Sequence, residues 1–310
     1  MAVNRWIGGD GAGATDPTVA ANWSEAATPA DGDEVIIPAN AAYAIAGGDL
    51  TAAATKQFIG FTIEEGYTYQ VGSLATYLQI DMKNGATYYD CRIAATTSPV
   101  YLDVDNWNHL IITRAVAATA GSYGVNLIGA HDADSTGDRG TIFLNSAYST
   151  DSVGIGANAG EDMEVNKVIV TGGQATIGVN CTAYDDAAAL PVELSGGTLT
   201  TRCPITTATI NGGTYTHALD GAMTTLNAWA GQTYYNSDGT LTTANVGGQL
   251  LFTGDSRPVT VTTTNAYSGG RIDDTNQRVT YTNPIDLQGC RLADVTLNLG
   301  RHISVARGTI

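Results

Sequence analysis

Short segments that alternate apolar and polar residues recur along the chain. In the second half each alternation follows a doublet of small residues, usually Gly-Gly. Glycine adopts positive φ without a Cβ clash, and period-2 alternation is typical of a strand with one buried face. The pattern predicts strand–corner–strand units that repeat about every 20 residues. The doublets are Gly172-Gly173, Gly196-Gly197, Gly212-Gly213, Ala230-Gly231, Gly247-Gly248, Gly269-Gly270 and Gly289-Cys290.

No segment between these units is long enough, or periodic enough at the helical repeat, for a crossover helix, so the strands are expected to stack as coils. The prediction is an all-β chain, a single-stranded right-handed parallel β-helix (a solenoid), with its hand taken from the rule for parallel crossovers. A β-sandwich with hairpins is the alternative. Its turn signals, which do not fall regularly, are Asn84-Gly85, Asn211-Gly212, Asp220-Gly221 and Asp238-Gly239.

The first half has the same texture with a weaker period. Residues 58–63, 77–82 and 100–104 alternate well, and longer loops follow at 117–124 and 131–140. We expect residues 39–310 to form the β-helix, with coils of about 20 residues. Whether residues 39–160 keep the register of the C-terminal half stays open. Residues 1–38, with Trp6 and Trp23 as their large anchors, are expected to form an N-terminal arm or cap that covers one open end.

Composition and charge agree with an all-β chain and exclude some partners. Thr, Gly, Asn and Asp replace the usual Lys and Glu, only 14% of residues are charged, and the lysines are Lys56, Lys83 and Lys167. The net charge of −16 would repel nucleic acid, so no nucleic-acid partner is expected. No apolar run is long enough for membrane insertion, and the first residues do not resemble a secretory signal.

The most site-like segment runs from His131 to Asp138. Asp132, Asp134, Thr136 and Gly137 follow the first half of a calcium-binding loop, but Phe143 stands where a bidentate Glu is required. The segment is therefore interpreted as a polar surface loop.

Polysaccharide cleavage would need two carboxylates across a groove. The candidates are Glu193, Asp220, Asp273 and Asp274, and no pair of them recurs on one face at a one-coil offset. Sugar stacking could use aromatic residues, but tyrosine doublets are more often half-buried strand residues or part of an oligomer interface. The tyrosines concerned are Tyr67, Tyr69, Tyr88, Tyr89, Tyr234 and Tyr235.

Cysteines and histidines are too scattered for a metal site. Cys91, Cys181, Cys203 and Cys290 form no metal-binding spacing and are interpreted as small buried hydrophobes, although Cys181 and Cys203 lie about one coil apart. The histidines are His109, His131, His217 and His302. The sequence therefore predicts no catalytic residue, no cofactor and no metal, and a protein that is not an enzyme.

The N-terminal residues resemble the start of bacterial and phage surface proteins with a parallel β-helix. Those proteins open with W-x-G, a later N-W, and P-x-x-G-D-x-V-x-I before the first coils. The resemblance ends with the first expected strand and implies a fold and a surface location. The matching residues here are Trp6-Ile7-Gly8, Asn22-Trp23, Pro29 and Gly32-Asp33-Glu34-Val35-Ile36-Ile37.

Bacterial members of that group normally carry export signals, and a phage virion protein needs none. The leading hypothesis is a capsid decoration or cement protein of a tailed phage. It would assemble in the host cytoplasm and bind the major capsid protein or another virion component on the capsid exterior, as a homotrimer. Two alternatives stay open: a receptor-binding tailspike that recognises or hydrolyses a host surface glycan, and a bacterial surface adhesin.

Overall fold

The computed structural model describes residues 2–9, 15–51, 56–82, 90–129, 139–183, 189–219, 221–301 and 303–307. The expectation of an all-β chain is confirmed, since these residues contain strands and two short 3₁₀ helices, Ala20–Asn22 and Leu292–Asp294, but no α-helix. The strands are β1 (Val3–Arg5), β2 (Glu34–Ile37), β3 (Gly48–Asp49), β4 (Gly60–Ile63), β5 (Leu78–Asp81), β6 (Asp90–Ala95), β7 (Val100–Asp105), β8 (Trp107–Ala115), β9 (Val125–Ile128), β10 (Arg139–Asn145), β11 (Ser152–Ile155), β12 (Asp162–Val165), β13 (Lys167–Gly172), β14 (Gln174–Ile177), β15 (Asn180–Ala183), β16 (Leu190–Leu194), β17 (Thr198–Thr201), β18 (Ile205–Leu219), β19 (Met223–Ser237), β20 (Leu241–Val246), β21 (Gln249–Leu251), β22 (Val259–Ala266), β23 (Arg271–Asp273), β24 (Val279–Tyr281), β25 (Ile285–Leu287), β26 (Thr296–Asn298) and β27 (Val305–Arg307).

Twenty-five of these strands join one large sheet, and β12 pairs with β15 separately. Every pairing between these named strands is parallel. Two series of pairings run through the sheet. Ladder A contains β1, β2, β4, β6, β8, β10, β13, β16, β18, β19, β20, β22, β25 and β27, and ladder B contains β3, β5, β7, β9, β11, β14, β17, β18, β19, β21, β23 and β26.

The step from one strand to its partner differs between the two halves of the chain. Thr207 pairs with Thr225 and Thr225 pairs with Thr243, so two equal steps follow one another, close in length to the predicted coil. In the first half, Gly60 pairs with Asp90 and Asp90 pairs with His109, and the first of these steps is much longer than the second. The parallel stacking thus extends through the first half, but with uneven steps because connections of different length separate its strands.

The core is a stack of equivalent side chains, one from each step. On ladder A a continuous row of registered residues points inward, and each of them is at most 2% exposed. Stacking apolar side chains at the strand spacing of about 4.8 Å removes nearly all of their surface from water. The row consists of Val35, Phe61, Cys91, Leu110, Ile142, Val168, Val192, Ala208, Leu226, Ala244, Thr264 and Ile285.

Six of the seven predicted small-residue doublets contain a glycine with positive φ, and Gly247-Gly248 contains none. Gly173, Gly197, Gly213 and Gly231 have φ values of 77°, 76°, 74° and 71°, and they follow one another at successive steps between ladders A and B. A Cβ atom on Gly213 would lie 2.5 Å from the carbonyl oxygen of Gly197. These positions therefore need glycine both for the left-handed backbone and for the close approach of the neighbouring chain segment.

The first residues already take part in the sheet. Strand β1 pairs with β2, and Trp6 forms an antiparallel bridge with Trp23. Both indoles are at most 1% exposed and meet edge to face at 5.2 Å between ring centroids. The boundary at residue 38 stays a prediction, but residues 3–5 of the expected arm belong to ladder A. Within the described ranges, no helix has the length and apolar character to span a bilayer.

Candidate interaction surface

Three apolar side chains occupy equivalent outward positions on neighbouring strands of ladder A. Ile111 on β8 pairs with Phe143 on β10, which pairs with Ile169 on β13. All three are partly exposed, whereas their sequence neighbours Leu110 and Ile142 are buried. We call this set the apolar row. It is unusual because the outward face of a half-buried strand is normally polar.

The apolar row lines a shallow groove of about 400 Å³. His109 borders it, with its ring 5.7 Å from that of Phe143, and the other lining residues are Leu144, Asn145 and Thr171. An apolar side chain of another molecule that enters this groove would displace water from both apolar surfaces, and this displacement would favour binding.

Charged groups stand at both ends of the apolar row. At one end Arg92 Nη2 forms an ion pair with Asp90 Oδ2 at 3.3 Å, and His109 Nδ1 lies 3.1 Å from Asp90 Oδ1. At the other end Lys167 Nζ lies 2.6 Å from Glu193 Oε1, and both of these side chains are one-third to two-fifths exposed. An apolar centre between exposed ion pairs matches the anatomy of protein–protein interfaces, where the rim sets orientation more than affinity.

The three predicted acidic residues that the structure describes do not assemble into one site. Glu193 belongs to ladder A, where its carboxylate forms an ion pair with Lys167. Asp273 belongs to ladder B. Hydrogen bonds from Thr275 and Arg271 lower the pKa of Asp273 to about 2. Asp274 is fully buried and accepts hydrogen bonds from the backbone of Arg278, and burial raises its pKa. Asp220 lies outside the described residues.

The predicted tyrosines divide into buried and surface groups. Tyr67 and Tyr235 are buried and donate to the carbonyl oxygens of Tyr43 and Gly239, at 2.7 and 2.8 Å. Tyr69 is exposed beside Tyr67, and Tyr234 is half-buried on the outward face of ladder B. Tyr88 and Tyr89 lie outside the described residues, as does the loop from His131 to Asp138. Phe143, its expected twelfth position, belongs to the apolar row.

The cysteines follow the prediction in three of four cases. Cys91, Cys181 and Cys203 are buried free thiols, and Cys290 is partly exposed. Burial raises the pKa of Cys203 to about 12, so its thiol stays protonated and unreactive. Among the described side chains, no group of three or more potential ligands is placed to hold a metal ion.

His217 is the centre of a buried polar network. Its Nε2–H donates to the carbonyl oxygen of Gly221 at 2.6 Å, so Nδ1 accepts from the hydroxyl of Thr201 at 2.8 Å. The Thr201 hydroxyl in turn lies 2.8 Å from the hydroxyl of Tyr215. Burial lowers the pKa of His217 from 6.5 to about 4, so the ring is neutral and serves the packing of ladder B. His109 is the partly exposed histidine already described, and His131 and His302 lie outside the described residues.

This network predicts a loss of stability in mild acid. Below pH 6.5 the unfolded chain protonates His217 while the folded chain does not, so the free energy of unfolding is expected to fall between pH 6.5 and 4. The full shift corresponds to about 3 kcal/mol. Urea titrations from pH 7 to 4 would measure it. The matched variant His217→Gln keeps a donor and an acceptor, and should lose this component of the pH dependence. Identical pH profiles for the two proteins would contradict the assignment.

The apolar row was missed in the sequence, although a signal was present. Ile111-Ile112, Phe143-Leu144 and Ile169-Val170 are consecutive apolar pairs, and one member of each pair must face outward on a strand. No protein family, curated protein or solved structure matches this chain.

Proposed function

We propose that the chain is a single-stranded right-handed parallel β-helix with an N-terminal cap. The support is the pairing of each strand of ladders A and B with its successors in parallel, with equal steps from β18 to β19 and from β19 to β20, where the glycine corners are regular. The hand follows from the strong preference of parallel crossovers. The buried Trp6–Trp23 pair supports a cap, because it closes the apolar end of the stack against water.

On this fold we propose a structural role in a virus particle. The protein would decorate the capsid exterior of a tailed phage as a homotrimer bound to the major capsid protein. The observation that carries the proposal is the apolar row on the outer face of ladder A, because it supplies a contact surface on a stiff scaffold. The apolar row would be the contact between subunits of the trimer.

The physical case rests on the cost of leaving the apolar row in water. Ile111, Phe143 and Ile169 are only partly covered in the single chain. Burying the surface that remains exposed would contribute a part of the about 1.5–3 kcal/mol that full burial of one such exposed side chain provides. The ion pairs at both ends would orient the subunits. The net charge of −16 favours solubility and weakens indiscriminate self-association.

The substitution Phe143→Asp is expected to abolish the oligomer. The carboxylate would lie unpaired in the apolar contact. The free energy needed to bury this charge exceeds the favourable free energy from burying Ile111 and Ile169. Light scattering coupled to size-exclusion chromatography should give a trimer mass for the native chain and a monomer mass for the variant. The control is Thr209→Asp, on the same outward line of ladder A but beyond the apolar row. A native chain that is monomeric, or a variant with unchanged mass, would contradict the proposed subunit contact.

The location on the particle has its own measurement. Quantitative gel densitometry of purified particles is expected to show a copy number on the scale of the capsid lattice. A copy number restricted to the few chains of a tail would contradict decoration and favour the receptor-binding tail protein.

A further inference from the structure

Ladder A carries a second outward surface in its C-terminal half, remote in sequence from the apolar row. The repeated sequences ITTATI, MTTLNA, LTTANV and VTTTNA place polar residues at equivalent positions on β18, β19, β20 and β22. One row of equivalent positions contains Thr207, Thr225, Thr243 and Thr263. The next row contains Thr209 and then Asn227, Asn245 and Asn265, and we call these three asparagines the asparagine rank.

The asparagines form a chain of hydrogen bonds along the ladder. Asn245 Nδ2 donates to Asn227 Oδ1, and Asn265 Nδ2 donates to Asn245 Oδ1, each at 2.8 Å. Gln288 Nε2 extends the chain by donating to Asn265 Oδ1 at 3.2 Å. A side-chain amide has two N–H donors and two acceptor lone pairs, so each asparagine uses about half of its capacity within the chain. The remaining donors and acceptors recur toward the surface at the strand spacing of about 4.8 Å.

An aromatic pair lies directly beside the asparagines. Trp229 and Tyr267 follow the registered buried residues Ala228 and Ala266, two steps apart, and Gly247 occupies the step between them. The indole lies against Gly247, where a Cβ atom would be 3.3 Å from Trp229 Cε3. It meets the Tyr267 ring at 5.1 Å between centroids. Glycine at position 247 thus lets the two rings meet, and the indole stays 40% exposed.

The surface is rich in hydroxyl and amide groups and nearly free of formal charge. Its one carboxylate, on Asp286, registers with Asn265 at the end of the asparagine rank and accepts from Gln288 at 2.9 Å on Oδ2. Asp286 Oδ1 is shielded from solvent and has no hydrogen-bond partner among the described residues. The Oδ1 atom therefore does not face a ligand on this surface.

We propose that this surface, composed of Trp229, Tyr267, the asparagine rank and Gln288, binds a neutral glycan. The C–H face of a pyranose ring packs on an exposed indole, and its hydroxyls, each both donor and acceptor, match the unused groups of the amides. A polyanionic glycan would meet the repulsion of a chain with net charge −16. The inference is independent of the proposed subunit contact, which uses other strands of the ladder.

Tryptophan fluorescence gives a direct test on the full chain. The chain has four tryptophans, and Trp6, Trp23 and Trp107 are at most 1% exposed, so a ligand-induced change in emission reports Trp229. The probes are maltohexaose, cellohexaose and laminarihexaose, with oligogalacturonate as the acidic comparison. A blue shift that saturates with at least one neutral probe, and none with the acidic probe, is expected.

The substitution Trp229→Ala should weaken binding at least about tenfold in calorimetry, as for an exposed aromatic anchor. The control is Tyr234→Ala, which removes a half-buried tyrosine from the same strand β19 on the outward face of ladder B. Its affinity should equal that of the native chain. Unchanged emission with every neutral probe at millimolar concentration, or equal affinity of the Trp229→Ala variant and the native chain, would overturn the proposal. Neither result bears on the mass of the oligomer, which tests the apolar row.

Discussion

Replacing Gly213 by alanine is expected to destabilise the protein by about 2–5 kcal/mol. A residue with a side chain costs about 1–2 kcal/mol at a left-handed φ, and Gly213 has φ 74°. The new Cβ atom would also lie 2.5 Å from the Gly197 carbonyl oxygen and 3.0 Å from the Gly196 carbonyl carbon. Both contacts are with backbone, which cannot move aside without breaking the ladder, so overpacking adds about 1–3 kcal/mol.

The matched control for this prediction is Gly289→Ala. Gly289 also has positive φ, at 65°, but its Cβ position has no atom within 4 Å. The control therefore carries the conformational cost of about 1–2 kcal/mol without the clash. Chemical denaturation followed by circular dichroism gives both free energies of unfolding. Equal losses of unfolding free energy in the two variants would show that the close contact between Gly213 and the neighbouring glycines does not add to the cost.

Replacing Arg278 by methionine is expected to cost at least about 3 kcal/mol, because it removes three hydrogen bonds to backbone carbonyls, two of them buried and one part-buried, each worth about 1–3 kcal/mol. The guanidinium is buried, with the residue 5% exposed, and it donates to three backbone carbonyls, those of Arg257, Tyr235 and Ser237, at 2.7, 2.8 and 2.7 Å. One side chain thus joins the end of β19 to the segment before β22. Methionine matches the length of the arginine stem but supplies no donor.

Two companion variants make the test specific. Lysine at position 278 can reach fewer of the three carbonyls because it lacks the planar fork, so Arg278→Lys should fall between the native chain and the methionine variant. Arg257→Ala removes ion pairs of a side chain that is 38% exposed, to Asp238 and Asp255, and should cost at most about 1 kcal/mol. Thermal and urea unfolding would rank the variants. A methionine variant as stable as Arg257→Ala would refute the role of the carbonyl contacts.

The corners could be predicted from the sequence because their chemistry is local. A doublet such as Gly212-Gly213 predicts positive φ, and the structure places it at the turn between the two ladders, although Gly247-Gly248 has no residue with positive φ. The step lengths of the first half could not be predicted in the same way. The chain between the paired residues Gly60 and Asp90 contains a connection whose length nothing in the neighbouring strands dictates.

The surfaces depend on register, which the sequence shows only in part. Trp229 and Tyr267 are far apart in sequence, and only the pairing of Ala228, Val246 and Ala266 shows that they flank one glycine. Arg278 is a different case, because a basic residue near acidic neighbours is expected on a solvated face. Its burial follows from carbonyl acceptors contributed by earlier segments of the chain, and no local sequence pattern predicts them.

The equal steps between Thr207, Thr225 and Thr243 make length a discrete variable in this molecule. Removing or duplicating one whole step would join equivalent positions, so every inward residue would still face inward. A gain or loss of a single residue within a strand would instead reverse the two faces of the rest of that strand. A genetic change that keeps the pairing would therefore shorten or extend the ladders only by whole increments of about 4.8 Å. The length of the ladders would then depend only on the number of steps.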